Sequence, residues 1–268
     1  MKIAICFYGL VGSKELKNGN GEALDPKIAY EFYKKHIFNK NDEIDIFIHS
    51  WSIEERDSLI GLYNPKKEII ENQILFPKSS EHPNLYGSSF KSKLRLFLFK
   101  FSKNNGNANH IVGKINDSFR AYSRWYSSKK VLELKKEYEE EYNFVYDSVM
   151  ITRLDVGFFT DLEFKNYDMQ YFYASHRNDA PSKENNFIAN KENHFKDTQF
   201  QDLWFFSNSK NMDKFSLLYD KIEEYEVSPH ISSRQHVDKV IGKNKVKYTM
   251  YRWFDYELIR RKFFEANE

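Results

Sequence analysis

Short apolar runs recur along the chain, and each gives way to small or charged residues. Lys2–Tyr8, Asp45–Trp51, Val149–Ile151 and Gln201–Ser207 are four of them. Short, non-alternating runs of this kind describe strands buried on both faces. Between the first two, Asp25 and Pro26 form a helix start. The aspartate is a natural N-cap and the proline fits the first turn. Ile28, Phe32 and Ile37 then give that helix part of an apolar face through Phe38. Strand, glycine-bearing turn, helix and strand in that order make a βαβ unit, which implies a parallel sheet. A third strand is expected near Ile69–Phe76, and Met169–Ala174 and Val246–Trp253 read as later ones.

The longest helical pattern runs from about Asp117 to Tyr142. Leu134, Tyr138 and Tyr142 are spaced by four, with Val131 beside them, and form a core-facing stripe. Traced backward, the stripe passes Lys130, Ser127 and Ser123, with Tyr126 alongside. A stripe that turns polar and basic predicts a helix half facing a wet cleft. The plainer alternative is that Lys130 reaches out to solvent, as lysines do. Further helices are expected from Ser209 or Asn211 to about Tyr225, from Pro229 to near Gly242, and over Asp255–Phe264. His176–Thr198 reads as a polar loop, and residues 77–114 as an insertion or lid over the site. No repeat or linker divides the chain. Residues 1–268 are expected to form one α/β domain of Rossmann type, with a mixed, mostly parallel sheet flanked by helices.

Composition narrows the function. With 41 basic and 39 acidic residues the formal net charge is +2, which gives no footprint for general nucleic-acid binding. The single cysteine, Cys6, excludes an internal disulfide and a cysteine zinc cluster. Inside a predicted strand it reads as a buried, inert thiol. No apolar run approaches the ~20 residues of a membrane span. The N-terminus enters a strand pattern without a cleavage site, so a cytoplasmic location is expected.

The candidate chemistry centres on Tyr146–Phe159. Arg153 and Asp155 are two apart, so they share a face if the strand persists to them. A carboxylate at the carboxyl end of a central α/β strand sits where ligands bind. The same pattern also describes an ion pair closing a strand. Gly9-Leu10-Val11-Gly12-Ser13, after the first strand, allows backbone to approach a phosphate closely, although it lacks the full dinucleotide fingerprint. Asp155, Asp202, His230 and His236 are the residues suited to a divalent ion or to proton transfer. Arg153, Lys130 and the Gly9–Ser13 turn are candidates to hold phosphate. Gly9, Ser50, Lys130 and Asp155 are expected to converge on one cleft.

The chain also resembles GT-A-type glycosyltransferase-like proteins of bacterial surface-polysaccharide loci and of large viruses and phages. The resemblance rests on Ile3-Ala4-Ile5-Cys6-Phe7-Tyr8-Gly9, on Asp45-Ile46-Phe47-Ile48-His49-Ser50-Trp51 and on Tyr126-Ser127-Ser128-Lys129-Lys130 running into Leu134–Glu139. Thr152-Arg153-Leu154-Asp155 and Gln201-Asp202-Leu203-Trp204-Phe205 complete it. Residues 54–114 and 176–198 match nothing in the pattern. The resemblance implies transfer of a sugar from a nucleotide diphosphate-sugar, such as a UDP-sugar, to a glycan or lipid-linked acceptor. Peripheral contact with a membrane fits such an acceptor. It implies donor contacts from Tyr8, Gly9, Ser13, Ser50, Tyr126, Lys130 and Arg153. Asp155 would be the last acid of an Asp-x-Asp metal motif, joined by His230 around Mn²⁺ or Mg²⁺, and Asp202 the general base. Arg153 stands where the first acid of that motif would be. The competing class is a catalytically inactive GT-A-like module that binds a sugar or a partner. A nucleotidyltransferase, which would release pyrophosphate, is a third.

Overall fold

The computed structural model describes residues 1–12, 23–83, 105–176 and 198–259, with the backbone alone over 105–117. Nine strands are described: β1 (Ile3–Gly9), β2 (Ile44–Ser50), β3 (Lys67–Ile70), β4 (Ser148–Arg153), β5 (Val156–Phe158), β6 (Phe172–His176), β7 (Gln201–Ser207), β8 (Val246–Tyr251) and β9 (Tyr256–Leu258). Seven form one sheet in the order β3-β2-β1-β4-β7-β6-β8, while β5 and β9 pair separately. The β3-β2-β1-β4 half is parallel throughout. β7 runs against both β4 and β6, and β8 is parallel to β6. The protein is thus α/β, with a mostly parallel mixed sheet.

The apolar runs form the middle of this sheet because both of their faces are covered. On one face α1 (Pro26–His36) and α2 (Arg56–Tyr63) bring Ala29, Tyr33, Leu59 and Tyr63 onto Ile5, Phe7, Ile48 and Met150. On the other, α3 (Asn105–Tyr142), α4 (Ser209–Ser216) and α5 (Pro229–Val237) cover Cys6, Phe47, Val149 and Ile151. Asp25 caps α1 as expected, accepting from the Lys27 amide at 2.9 Å. Cys6 is fully buried, and burial pushes its thiol pKa far up, so it stays protonated.

Several boundaries differ from the sequence reading. β3 ends at Ile70, not Phe76, because β2, its only partner among the described residues, ends at Ser50. Leu75, taken as a strand position, is exposed. α3 starts at Asn105, twelve residues before the expected Asp117, through Asn and Gly residues of low helix propensity. The expected insertion therefore divides. Residues 84–104 lie outside the described part, and 105–114 belong to α3. Before them, a short turn over Pro77–Glu81 is fixed to the body by Ser118 Oγ donating to the Ser79 carbonyl at 2.6 Å. The helix after β7 is capped by Asn208, whose side chain accepts from Asn211 N, and ends at Ser216. Residues 256–258 form β9, where a helix was expected, because pairing with β5 sets Val156 opposite Leu258. Within the polar loop, residues 177–197 lie outside the described part.

Candidate functional site

β1 and β4 are adjacent but far apart in sequence. The chain leaves β1 through α1 and α2 on one face, then returns through α3 on the other to place β4 beside β1. The loops part at their carboxyl ends, which is the usual ligand position in an open α/β sheet. Here lies a cavity of about 280 Å³. Tyr8, Trp51 and Phe119 supply aromatic wall, Gln73 and Ser123 are polar, and Arg120, Arg124 and Arg153 are cationic. Of the polar stripe expected on α3, Ser123 lines this cavity, while Ser127 is buried and Lys130 is not in the lining.

Gly9 closes β1 at φ +92°, a conformation that side chains rarely adopt, and a Cβ there would meet nothing within 4 Å. Its amide donates to Ser127 Oγ at 3.0 Å, and its carbonyl accepts from Ser50 Oγ at 2.9 Å. Ser127 is in turn 2.7 Å from His49 Nδ1, whose Nε2 is 3.2 Å from Glu71. Burial lowers the His49 pKa, with Glu71 working against it. Gly12, also at positive φ, is packed instead: a Cβ there would come within 3.0 Å of both Asp155 and Leu24. Of the expected phosphate turn, Gly9 faces open space, Gly12 backs onto the acid, and Ser13 lies outside the described residues.

The Arg153–Asp155 pair forms at the end of β4. Nε donates to Oδ1 at 2.7 Å and Nη2 to Oδ2 at 2.6 Å. Asp155 is 2% exposed. Burial works to lower the Arg153 pKa, but the Asp155 carboxylate outweighs it, so the guanidinium stays charged. The Tyr33 hydroxyl fixes the strand end from the other face, donating to the Arg153 carbonyl at 2.7 Å. Asp202, at the start of antiparallel β7, reaches the same end of the sheet. One carboxylate oxygen meets Arg124 of α3, and the other lies 3.1 Å from His230 Nδ1. Its backbone carbonyl accepts from the Tyr8 hydroxyl at 3.2 Å. Burial raises the Tyr8 pKa, against the pull of Arg124 and Arg153, and the phenol remains a donor.

These donors do not fit a resident divalent cation. Mg²⁺ and Mn²⁺ need several converging oxygen ligands. Both oxygens of Asp155 are taken by Arg153, while His230 turns its Nδ1 to Asp202. Among the described residues no three His, Cys, Asp or Glu side chains come together as a metal site. His236 is buried elsewhere, between the Tyr225 hydroxyl and the Lys214 carbonyl. The pairing of Asp155 with His230 as metal ligands is therefore replaced by two Arg–Asp pairs.

Other expected contacts fall behind the cavity wall. Ser50 is buried under Gly9. Tyr126 stacks on Trp51 with ring centroids 5.6 Å apart. Lys130 lies outside the cavity lining; its ammonium donates to Glu133 at 2.9 Å and lies over the Tyr126 ring. It belongs to the plainer reading.

A scan against protein-family models found no match, and a search of curated proteins found none either. The geometry alone therefore carries the functional reading. Sequence reasoning passed over Arg120, Arg124, Phe119 and Gln73. The signal for the arginines was present: Arg120 and Arg124 are four apart, with Ser123 and Ser127 on the same turns. That spacing makes one polar helix face. Chemically, the result is a cavity with an aromatic wall and three guanidinium groups, two of them held by carboxylates.

Proposed function

We propose that the protein is a glycosyltransferase that takes a sugar from a nucleotide diphosphate-sugar and passes it to a glycan or lipid-linked hydroxyl. The observation that carries this reading is the cavity at the β1–β4 switch point, where three arginines and an aromatic wall meet an open Gly9. A diphosphate carries its charge on oxygens that guanidinium forks match in shape. Arg153, already oriented by Asp155, and Arg124, oriented by Asp202, would face that charge as it grows on the leaving group. The aromatic wall suits the nucleoside or sugar. No helix of the described residues is long and apolar enough to cross a membrane, so a lipid-linked acceptor would be met from the membrane surface.

The test is a thermal-shift panel of UDP-, GDP- and CMP-linked sugars, with and without Mn²⁺, followed by assay of free nucleotide. Ligand binding raises stability by RT ln(1 + [L]/Kd), so the correct donor raises Tm. Because the described donors do not fit a resident metal, that rise should persist in EDTA. A rise without nucleotide release would mark an inactive binding module. Release of pyrophosphate would instead mark nucleotidyl transfer.

A further inference from the structure

The turn between β8 and β9, residues 252–255, directs its polar groups inward and its apolar side chains outward. The amides of Trp253, Phe254 and Asp255 donate to the carbonyls of Tyr256, Tyr251 and Tyr251, at 2.9, 3.3 and 2.9 Å. Asp255 Oδ2 accepts from the Tyr251 amide at 2.6 Å, and Oδ1 from the Thr160 hydroxyl at 2.7 Å. Arg252 gives Nε and Nη2 to Glu257, whose Oε1 also accepts from the Leu258 amide at 2.7 Å. What the turn shows to solvent is Trp253, 66% exposed, and Phe254, 43% exposed. Trp253 is also held at φ +77°, in the left-handed region where a bulky side chain is rare. Glycine would suit that backbone and a polar side chain that exposure, so neither asks for an indole. A strained residue on a fastened turn, displaying a large apolar group, marks a contact surface.

We propose that this turn docks the protein on an anionic lipid surface, with Trp253 and Phe254 entering the headgroup layer. The chemistry of the turn separates that occupant from a sugar. A sugar stacked on an indole also needs hydrogen-bond partners for its hydroxyls. Here both carboxylates and the amides of residues 253–255 are spent internally. A bilayer surface asks instead for aromatic area with a cation beside it, and tryptophan favours that interface. The Arg252 guanidinium lies 4.7 Å from the Trp253 ring centroid. Its Nη1 takes no hydrogen-bond partner among the described residues, which leaves a donor for a lipid phosphate. The surrounding sequence is basic: Arg252, Arg260, Arg261 and Lys262 outnumber Asp255 and Glu257, whereas the whole chain is nearly balanced at +2. That local excess matches anionic headgroups. The turn is also tied to the cavity end of the sheet. β5 and β9 carry it, with Phe158 opposite Tyr256, and past the other end of that ribbon the Ile259 amide donates to the Asp155 carbonyl at 2.9 Å. At ~3.3 Å per strand residue the ribbon spans about 10 Å. On the transfer reading above, on which this consequence rests, docking holds the Arg153–Asp155 end of the sheet near a lipid-linked acceptor.

The test mixes the full chain with phosphatidylcholine vesicles, with and without phosphatidylglycerol. The other tryptophans, Trp51, Trp125 and Trp204, are 5% exposed or less, so a change in emission reports Trp253 and its turn. On anionic vesicles that emission should shift to the blue, be quenched by brominated lipid and escape quenching by acrylamide. Added salt should weaken binding, because screening removes the pull on the cations. Trp253→Gly suits the left-handed backbone, so it should fold at least as well as the wild type. It should nevertheless sediment with the same vesicles roughly tenfold less, with UDP affinity in solution unchanged. Absence of a blue shift on anionic vesicles overturns the proposal, as does a Trp253→Gly protein that sediments like the wild type. A shift that follows protein concentration or added maltooligosaccharide, and not lipid, assigns the turn to a second copy or a glycan and overturns it too. Nucleotide release from nucleotide-sugars is measured separately. Vesicle binding without release removes the transfer reading and leaves the docking turn, while release without vesicle binding removes the docking turn alone.

Discussion

Helix α3 carries two buried charge clusters, one at its middle and one in its carboxyl half, and the two are finished differently. In its carboxyl half Lys135 is 0% exposed and donates to Glu139 at 2.8 Å, Ser209 at 2.6 Å and Asp213 at 2.6 Å. An ammonium has three donors, so that set is complete. The other Glu139 oxygen takes the Tyr146 amide at 2.8 Å, tying the end of α3 to the start of β4. At its middle, Arg124 pairs with Asp202 beside the cavity, across from Arg153 and Asp155. A guanidinium has five donors. Arg153 spends Nε and Nη2 on Asp155, and Nη1 takes no hydrogen-bond partner among the described residues. The first cluster is saturated and can only stabilise. The second keeps hydrogen-bonding capacity on a cavity wall, which is what an anion needs.

The largest effect should come from breaking the closed cluster. Lys135→Ala leaves Glu139 and Asp213 facing each other without their cation. Removing one partner of a buried ion pair costs about 3–5 kcal/mol, read as a lower urea midpoint. Lys135→Met restores most of the volume and should cost less, although the same carboxylates stay unpaired. UDP affinity in the folded fraction should not move in either variant. A Lys135→Ala protein with a near-normal midpoint would mean that the cluster is not the closed element described.

The same side of the molecule also carries a pH-sensitive group. His236 of α5 accepts or donates between Tyr225 and the Lys214 carbonyl, and burial pushes its pKa down to about 4. Its folded pKa lies below the ordinary value of ~6.5, so the unfolded chain binds the proton more readily. Stability from this group is present above about pH 6.5 and is lost as pH falls toward about 4, by up to roughly 3 kcal/mol. Urea midpoints measured from pH 7 to pH 4 should show this slope in the wild type and a flatter one in His236→Gln.

Much of this architecture was legible in advance, and the failures share a cause. Strands buried on both faces announce themselves because both faces are apolar, so β1, β2, β4 and β7 were placed within a residue or two of their observed bounds. The Asp25 cap was legible because capping is local chemistry. β9 was not, since only its pairing with β5 makes residues 256–258 extended. The site divides likewise. Arg153 closes β4 and Asp155 sits in the turn just after it, so their pairing is local chemistry within three residues. Arg124 with Asp202, and Asp202 with His230, join three separate elements, and no local pattern could bring them together.

The open cluster should respond in binding more than in stability. Arg153→Lys keeps a cation beside Asp155 but loses the two-pronged contact and the remaining guanidinium donor. UDP affinity by calorimetry should fall about tenfold, equivalent to ~1.4 kcal/mol, with Tm lowered only slightly. An equal loss from both Arg153→Lys and Lys130→Met would contradict the placement of Lys130 outside the cavity lining.

The smallest expected effect lies in one turn and tests the contrast with almost no change in chemistry. Gly9 and Gly12 have nearly the same backbone, at φ +92° and +94°, so an alanine at either pays a similar left-handed strain, roughly 1–2 kcal/mol. Their surroundings differ. At Gly12 the added methyl also presses on the Asp155 Cβ and the Leu24 side chain, each at 3.0 Å, so Gly12→Ala should be the less stable of the two. At Gly9 the methyl enters open space beside the cavity, so Gly9→Ala should lose only the strain energy. If a ligand uses that space, Gly9→Ala should bind UDP several-fold more weakly while remaining the better folded variant. Paired urea and calorimetric titrations on the two proteins separate these effects. A Gly9→Ala protein with wild-type UDP affinity would mean that the ligand does not pass over Gly9.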